Sequence, residues 1–414
     1  MQRGGGPHAG QSQAERPSTL GAEKHHEGEV SSTRAPSMKQ GEPGQLRPVD
    51  ERKTRAQRHL LRSQLILTMG TATLIMLPDV RFPHGSQVAC DRPRPGISAS
   101  SVTGPGRKPQ TLRYSEDYYI QTVMKVQNCT WKRQPEECRK FRLELSSCCN
   151  AVRNFIVSQN NTLLGSNMSY EVDSKRNILI AENIFRMLPQ AQPFSGYPFK
   201  HCAVVGNGGN LKNSSCGDEI NESEFVFRCN LPPILGNITK DVGNKTNLVT
   251  VNPSIIALKY GKLKENKISF LENITSYGEA FLLLPAFSYR TNTALSFKVY
   301  HTLREFHAKQ KAIFFHPKYL KSLAQFWRAK GVRAYRLSSG FMITSAAIEL
   351  CENVRLYGFW PFSKSIQGKP ISHHYYDNQL PKPGFHAMPK EFYQVLQLHS
   401  KGILKLQFGE CEKR

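Results

Sequence analysis

The sequence lacks several features that mark common protein classes. None of its ten cysteines forms a Cys-X2-Cys pair, and no cysteine and histidine spacing matches a zinc finger or zinc ribbon. It contains no internal repeat, heptad array or collagen-like period, which disfavours solenoids, coiled coils and triple helices. Acidic residues are scarce, with 32 Asp and Glu against 56 Lys and Arg.

The charge balance gives the 414-residue chain a formal net charge of +24. Such an excess favours anionic partners: nucleic acid, an acidic membrane face or negatively charged small substrates. A hydrophobic content of 39% is too high for a wholly disordered chain. The length is sufficient for one large or two modest domains.

Two features indicate the secretory pathway. Sequons of the form Asn-X-Ser/Thr are clustered after residue 120, which indicates a glycosylated lumenal or extracellular domain. They begin at Asn128, Asn160, Asn167, Asn213, Asn221, Asn237, Asn244 and Asn273. A disulfide framework fits the ten cysteines better than a metal site does, and disulfides require an oxidising compartment. Both features leave a nucleic-acid-binding protein as the least favoured alternative.

The first 112 residues divide into three non-globular segments. Residues 1–59 are polar and predicted to form a disordered cytoplasmic tail, with an alternative chain start left open. Residues 60–78 contain the apolar run Leu65–Leu77 and are predicted to form the signal-anchor helix of a type II membrane protein, because basic residues crowd its N-terminal side. A span needs about 20 apolar residues, so a buried or amphipathic helix or a signal-peptide core is the alternative. Residues 79–112 are rich in Pro and Gly and predict a stem.

Residues 113–414 have the composition of a folded domain. Helical patterns occupy 141–145, 180–188 and 319–330, and residues from Glu391 predict a further helix. Short apolar runs predict buried strands that begin at Ala203, Glu224, Leu248, Phe281, Ala312 and Val354. Strands that alternate with helices predict an α/β domain with a mainly parallel sheet.

The first predicted strand leads into a glycine-rich turn, Gly206-Asn207-Gly208-Gly209. Glycines allow a backbone to approach a phosphate closely, and successive N–H groups can bind it. The turn is neither Gly-X-Gly-X-X-Gly nor a P-loop, so by itself it predicts a plain tight turn as readily as a nucleotide site.

Four segments resemble the motifs of the vertebrate sialyltransferases, in the family's order. The stretch from Cys202 through Asn230-Leu-Pro-Pro to Asp241 and on to Thr250 resembles the large sialylmotif, and Arg336-Leu-Ser-Ser-Gly through Trp360 resembles the small one. His374-Tyr-Tyr-Asp resembles the third motif, and the His386-X4-Glu391 spacing resembles the very small one. The amino-acid sequences of these motifs are most similar to those of the α2,8-sialyltransferases, in particular their type VI branch.

The resemblance implies a single Rossmann-like domain, a GT-A-like variant, in the Golgi lumen. It implies transfer of sialic acid from CMP-sialic acid, with inversion, to the 8-hydroxyl of a terminal sialic acid on a glycoprotein or glycolipid, with O-glycans favoured. By the same resemblance the donor-binding residues are Asn207, Asn230, Ser338, Ser339, Gly340 and Trp360. His374 is then expected to assist the departing phosphate, and His386 to act as general base.

The chemistry of the reaction agrees with these roles. An oxocarbenium-like transition state needs a base on the acceptor hydroxyl and a stabilised leaving group. CMP leaves as a phosphate monoester that fixed dipoles and a histidine can stabilise, so neither a metal nor another cofactor is expected; the chain has no Asp-X-Asp motif. A metal site at His373, His374, Asp377 and His386 is the weaker alternative, because adjacent residues of a strand point to opposite sides. Glu391 either orients His386 or only begins the last helix.

The resemblance also implies two disulfides, Cys202–Cys351 and Cys216–Cys411. Six cysteines have no predicted partner: Cys90, Cys129, Cys138, Cys148, Cys149 and Cys229. Of these, Cys229 is predicted to be a free, buried thiol. Residues 304–336 carry nine basic residues, which predicts a solvated face or a basic surface for a sialylated acceptor. A polysialyltransferase and a non-catalytic sialoglycan-binding Golgi protein are the alternative functions.

Overall fold

The computed structural model describes residues 114–194, 196–380 and 386–412. The predicted tail, anchor and stem therefore lie outside the described residues, as does Cys90. Within the described part, no helix is both long and apolar enough to cross a bilayer.

The described residues form an α/β domain with a seven-stranded sheet and a small hairpin. The helices are α1 (Glu116–Gln127), α2 (Pro135–Cys148), α3 (Ala151–Asn154), α4 (Glu182–Phe185), α5 (Gly217–Asn221), α6 (Thr239–Val242), α7 (Pro253–Leu258), α8 (Lys267–Thr275), α9 (Arg290–Glu305), α10 (Pro317–Ala329), α11 (Ser339–Leu350) and α12 (Met388–Ser400). The strands are β1 (Asn167–Ser169), β2 (Asn177–Leu179), β3 (Phe199–Val205), β4 (Phe225–Arg228), β5 (Leu248–Thr250), β6 (Phe281–Leu284), β7 (Lys311–Phe314), β8 (Cys351–Tyr357) and β9 (Lys405–Leu406).

The large sheet is parallel throughout and has the order β7-β6-β5-β4-β3-β8-β9. The predicted mainly parallel α/β fold is therefore confirmed. The chain runs outward from β3 to β7 and then returns to the other side of β3 as β8. In open parallel sheets, ligands bind outside the carboxyl ends of the strands at such a reversal. The crevice between the ends of β3 and β8 is thus the expected site.

The strands are short apolar runs because helices cover both faces of the sheet. Alternate residues of β3 enter opposite cores: Cys202 and Val204 pack in one, and Ala203 and Val205 in the other. All six predicted strands are present as β3 to β8. Because successive side chains of a strand point to opposite faces of the sheet, each strand contributes to both cores.

The predicted helix over 319–330 is present as α10, which begins at Pro317 and buries Leu320, Leu323 and Trp327. The Trp327 Nε1–H donates to Ser345 Oγ at 3.0 Å, so α10 is joined to α11 by both packing and a hydrogen bond. Proline at the first helical position fits this start, since its missing N–H would have no partner there.

The prediction of one helix over 180–188 is confirmed only for Glu182–Phe185. Strand β2 ends at Leu179, and α4 is a single turn that ends at Phe185. After it, the N–H groups of Met187 and Leu188 bond three residues back, to Ile184 and Phe185. These tight turns replace the four-residue spacing of an α-helix, so Met187 and Leu188 lie in turns that follow α4.

Both disulfides that the resemblance implied are present. Cys202–Cys351 joins the adjacent strands β3 and β8, and Cys216–Cys411 holds the C-terminal segment. A third bridge links the neighbouring residues Cys148 and Cys149, and Cys129 is also disulfide-bonded. Two described thiols are free and buried, Cys138 and Cys229, which confirms the prediction for Cys229.

Candidate functional site

Three main-chain segments meet at the carboxyl ends of β3 and β8. The Gly206 N–H donates to Tyr357 O at 2.7 Å, and the Gly208 N–H donates to Gly358 O at 2.9 Å. On the other side of the turn, the Tyr375 N–H donates to Asn207 O at 2.9 Å. The glycine-rich turn is therefore held between the end of β8 and the loop of the third motif.

Close approach of these segments explains the glycines. A Cβ on Gly209 would lie 1.9 Å from Ser372 O, and one on Gly206 would lie 2.6 Å from Gly358 O. Real Cβ atoms do not approach a backbone oxygen so closely, so a side chain at either position would push the segments apart. The glycines thus serve the packing of three loops, a need that the sequence alone did not separate from phosphate binding.

The two candidate donor-binding amides lie at the ends of β3 and β4. Asn207 Nδ2 donates to Cys229 O at 2.9 Å, while Asn207 Oδ1 is buried and accepts no hydrogen bond from the described residues. Asn230 has a left-handed backbone (φ 58°), and its Oδ1 accepts from the Asn252 N–H at 3.1 Å. A buried amide oxygen without a donor is uncommon in a folded protein, so Asn207 has an acceptor available for a ligand.

His374 is fixed through one ring nitrogen. Its Nδ1 lies 2.6 Å from Asp377 Oδ1, and its N–H donates to Asp377 O at 3.0 Å. The ring stacks on Tyr376 with the centroids 5.2 Å apart. Because a carboxylate accepts, Nδ1 carries the proton and Nε2 is left for a ligand. The third motif therefore supplies both the histidine and the group that orients it.

A cavity of about 580 Å³ opens beside His374. Its walls come from the segments after β4 and β5, from α7 and α8, and from the third-motif loop. They comprise Asn230, Leu231, Pro232, Pro233, Ser254, Ile255, Leu258, Lys259, Tyr260, Asn273, Ile274, Ser276, Tyr277, His374, Tyr376, Asp377 and Gln379. A volume of this order suits a ligand of nucleotide or disaccharide size. The structure thus brings Asn230 and His374 to one cavity.

His386 lies near the start of α11. Its Nδ1 is 2.8 Å from Arg336 O, and a carbonyl oxygen can only accept, so Nδ1 carries the proton. Burial lowers the pKa of His386, although the hydrogen bond to Arg336 O raises it, and the positive charge of Arg336 lowers it further. A half-buried imidazole that stays neutral has an unprotonated Nε2, as a general base requires.

Arg336 is itself held by a largely buried ion pair that the sequence did not predict. Its guanidinium lies 3.1 Å from the Glu171 carboxylate, and the two side chains are only 10% and 7% exposed. It also donates to Ser288 Oγ at 2.9 Å. Glu171 precedes Arg336 by 165 residues and belongs to none of the four motifs, so no local pattern indicated this contact.

Glu391 binds the residue that caps α11. Its Oε1 accepts the Ser338 N–H at 3.0 Å, and Ser338 Oγ in turn accepts the Phe341 N–H at 3.2 Å. Glu391 also lies in the first turn of α12. Burial raises the pKa of Glu391 to about 7, against the lowering effect of the bonds from Ser338. The carboxyl therefore fixes the start of the Ser338-Ser339-Gly340 turn.

The raised pKa of Glu391 predicts a pH-dependent stability. The unfolded carboxyl has a pKa near 4.5, so its contribution is fully present below pH 4.5 and is lost as pH rises through 7. Glu391→Gln mimics the protonated form and does not titrate. As the pH rises from 5 to 8, its free energy of unfolding is therefore expected to increase relative to that of the parent, by about 3 kcal/mol at most. Urea unfolding at the two pH values measures this difference. The exposed Glu265→Gln is the control and should show no gain; an equal gain in both variants would contradict the assignment.

Gly340 and Trp360 both pack against apolar side chains. A Cβ on Gly340 would lie 3.3 Å from the Phe359 ring and 3.4 Å from Cys229 Sγ, so Gly340 packs on the segment that also binds Asn207. The Trp360 side chain is 4% exposed, and its Nε1–H donates to Lys364 O at 2.7 Å. Its ring packs against Phe362 and Phe392. The Trp360 ring is therefore a core residue, and the donor contacts predicted for Trp360 and Ser339 stay predictions.

The basic stretch 304–336 is only partly a free surface. Besides Arg336, Lys330 pairs with Glu144 at 2.7 Å, and Lys321 donates to Ser169 Oγ at 2.9 Å. These cations are satisfied within the domain, and others, such as Lys311, are exposed. Among the described residues, no cluster of His, Cys, Asp and Glu is arranged to hold a metal ion.

Comparison with known proteins gives one consistent family. The model of glycosyltransferase family 29 (sialyltransferase) matches residues 152–403. The chain is 67% identical over 303 residues to Alpha-2,8-sialyltransferase 8F of Pan troglodytes. The matched region covers 73% of this chain and 76% of that protein. It is 49% identical over 286 residues to Alpha-2,8-sialyltransferase 8E of Rattus norvegicus, which covers 69% of this chain and 76% of that one.

A solved structure of a mammalian sialyltransferase in complex with Gal-beta-1-3GalNAc-ortho-nitrophenol is also similar to this chain. The TM-score is 0.38 and the identity 21%, over 72% of this chain and 88% of the other.

Proposed function

The chain belongs to glycosyltransferase family 29, the sialyltransferases, and from this premise we propose that it transfers sialic acid from CMP-sialic acid to the 8-hydroxyl of a sialic acid that ends a glycan. It is a sialyltransferase enzyme. The α2,8 linkage is supported by the names of its relatives, which are 67% and 49% identical to it. We favour O-glycan acceptors and a type II Golgi location with the domain in the lumen.

The mechanism is supported by the orientation of the two histidines, since each ring has a partner at its Nδ1 atom. In each histidine a contact at Nδ1 orients the ring: the Asp377 carboxylate for His374 and Arg336 O for His386. Their surroundings differ, since His374 contacts an anion while His386 is half-buried beside a cation. The proposal therefore assigns His386 to the acceptor hydroxyl and His374 to the departing phosphate.

The proposed reaction is a single displacement. The acceptor oxygen forms a bond to the anomeric carbon of the donor sialic acid as the bond from that carbon to the CMP phosphate oxygen breaks. His386 Nε2 takes the proton of the acceptor hydroxyl. His374, when protonated, donates from Nε2 to the departing phosphate. One displacement inverts the anomeric configuration.

The donor is expected to lie along the end of β3, the end of β4 and the start of α11. Asn207 Oδ1 is an available acceptor there, and the Ser338–Ser339–Gly340 turn begins a twelve-residue helix whose first N–H groups can bind an anion. Glu391 of α12 binds Ser338 at the start of α11, and His386 contacts Arg336, two residues before Ser338. The expected donor site and the proposed base are therefore connected through the segment that precedes α11.

The test is product analysis with the full chain produced in secretory cells. We expect CMP release only when a sialylated acceptor is present, and a new α2,8 bond between two sialic acids by linkage analysis. Parallel reactions on sialylated O-glycans, N-glycans and a glycolipid give the acceptor preference. Transfer only to a galactose hydroxyl, or acceptor binding without CMP release, would overturn the proposal, and products of many sialic acids would indicate a polysialyltransferase.

A further inference from the structure

We propose that Asn273 carries an N-linked oligosaccharide that forms the outer wall of the cavity beside His374 and limits the bulk of the acceptor. The inference rests on the proposed function, because the acceptor must reach the bond that breaks beside His374. It concerns a modification that this chain carries itself.

The eight sequons all lie in the described part of the chain and differ in their surroundings. Seven of the eight asparagines are exposed, and Asn221 is half-buried with its Oδ1 accepting from the N–H groups of Asn244 and Lys245. A glycan is bulky, so the folded protein has room for it only where the asparagine of the sequon is exposed. Of the eight, Asn273 is the one that lines the cavity.

The side chain of Asn273 is compatible with a glycan in the folded protein. Its Nδ2 donates to Ser269 O at 2.9 Å. The amide nitrogen carries two hydrogens, and glycosylation replaces one of them, so this bond to the preceding turn can persist. The next residue, Ile274, is fully buried and anchors the helix end. The point from which the oligosaccharide leaves α8 is therefore fixed.

The opposite wall of the cavity carries the candidate chemistry. His374, Asp377 and Gln379 line the cavity from the third-motif loop, while Asn273, Ser276 and Tyr277 line it from α8 and the residues that follow. A cavity of about 580 Å³ with Asn230 and His374 in its wall has room for the reacting part of the donor and no more than the terminal sugar of an acceptor. The rest must pass the rim, where a glycan on Asn273 occupies space. A slim, extended acceptor then enters more easily than a branched one.

The experiment compares three variants of the full chain secreted from the same cells. Asn273→Gln removes the sequon, Thr275→Ser retains it, and Asn237→Gln removes an exposed sequon that does not line the cavity. Transfer is measured to a sialyllactose trisaccharide and to intact serum transferrin, which presents branched sialylated glycans. We expect Asn273→Gln to raise the transferrin-to-trisaccharide rate ratio at least threefold, with the other two variants unchanged.

Two further measurements make the outcome decisive. Peptide mass spectrometry of the parent must find a glycan on Asn273, and an unmodified peptide would overturn the inference whatever the activity. Treatment of the folded parent with an endoglycosidase should raise the same ratio, while Asn273→Gln should not respond, which separates lost bulk from misfolding. An unchanged ratio in both arms would also overturn it. A parent that modifies neither acceptor would instead count against the proposed function.

Discussion

His386→Ala is expected to lower the rate of sialic acid transfer by about 10²–10⁴-fold, the usual contribution of a general base. The imidazole is oriented by Arg336 O at 2.8 Å, and alanine leaves no group there to take the acceptor proton. Binding of CMP-sialic acid should change little, because the base acts on the acceptor. Initial rates and donor affinity, measured on the full chain, separate these two effects.

The matched control is His301→Ala, which removes an exposed histidine on α9. It should retain the parent rate. Near-normal transfer by His386→Ala would remove His386 from the base role. A loss of donor binding equal to the loss of rate would assign it to the donor site instead.

The pH profile gives an independent check on the same residue. Burial lowers the pKa of His386 below its ordinary value of 6.5. A base is active when unprotonated, so the acidic limb of kcat/KM should lie below pH 6.5 and activity should persist in a mildly acidic lumen. The full profile of kcat/KM between pH 4.5 and 8 measures it. A limb above pH 6.5 would contradict the assignment of this limb to His386.

Much of the fold could be predicted because its signals are local. The six central strands are short apolar runs buried on both faces, and this pattern separates them from loops even in a single sequence. The stretch 180–188 has similar apolar content, yet it forms one helical turn followed by tight turns. Its structure depends on hydrogen bonds three residues apart, which side-chain periodicity does not encode.

The site divides in the same way. Motif order predicts Asn207, Asn230, Ser338, His374 and His386 as site residues, whereas the contacts that orient them are given only by the fold. The Asp377 contact lies three residues from His374 and is visible in the motif once the loop geometry is known. Glu391 is five residues from His386, yet its carboxylate binds Ser338 instead. Trp360 lies in a motif and nevertheless packs in the core, since motif membership does not distinguish a binding side chain from a buried one.

Glu171→Gln is expected to destabilise the domain by about 3–5 kcal/mol, because it leaves the buried Arg336 guanidinium without its counter-ion. This is a large part of the usual stability of a domain. The matched control breaks the more exposed pair of Lys267 and Glu305, 2.7 Å apart with side chains 30% and 52% exposed, through Glu305→Gln. Surface pairs contribute about 0–1 kcal/mol, so the control should unfold close to the parent. Urea unfolding of the three proteins measures both effects.

The same substitution has a consequence for catalysis that loss of stability does not produce. Removing the Glu171 carboxylate leaves the positive charge of Arg336 uncompensated, and that charge already lowers the pKa of His386. The pKa should fall further, and the acidic limb of kcat/KM should move to lower pH in the fraction that remains folded. Glu305→Gln should leave the limb in place. A limb that moves to higher pH in Glu171→Gln, or does not move, would show that the buried pair supports the fold without tuning the base.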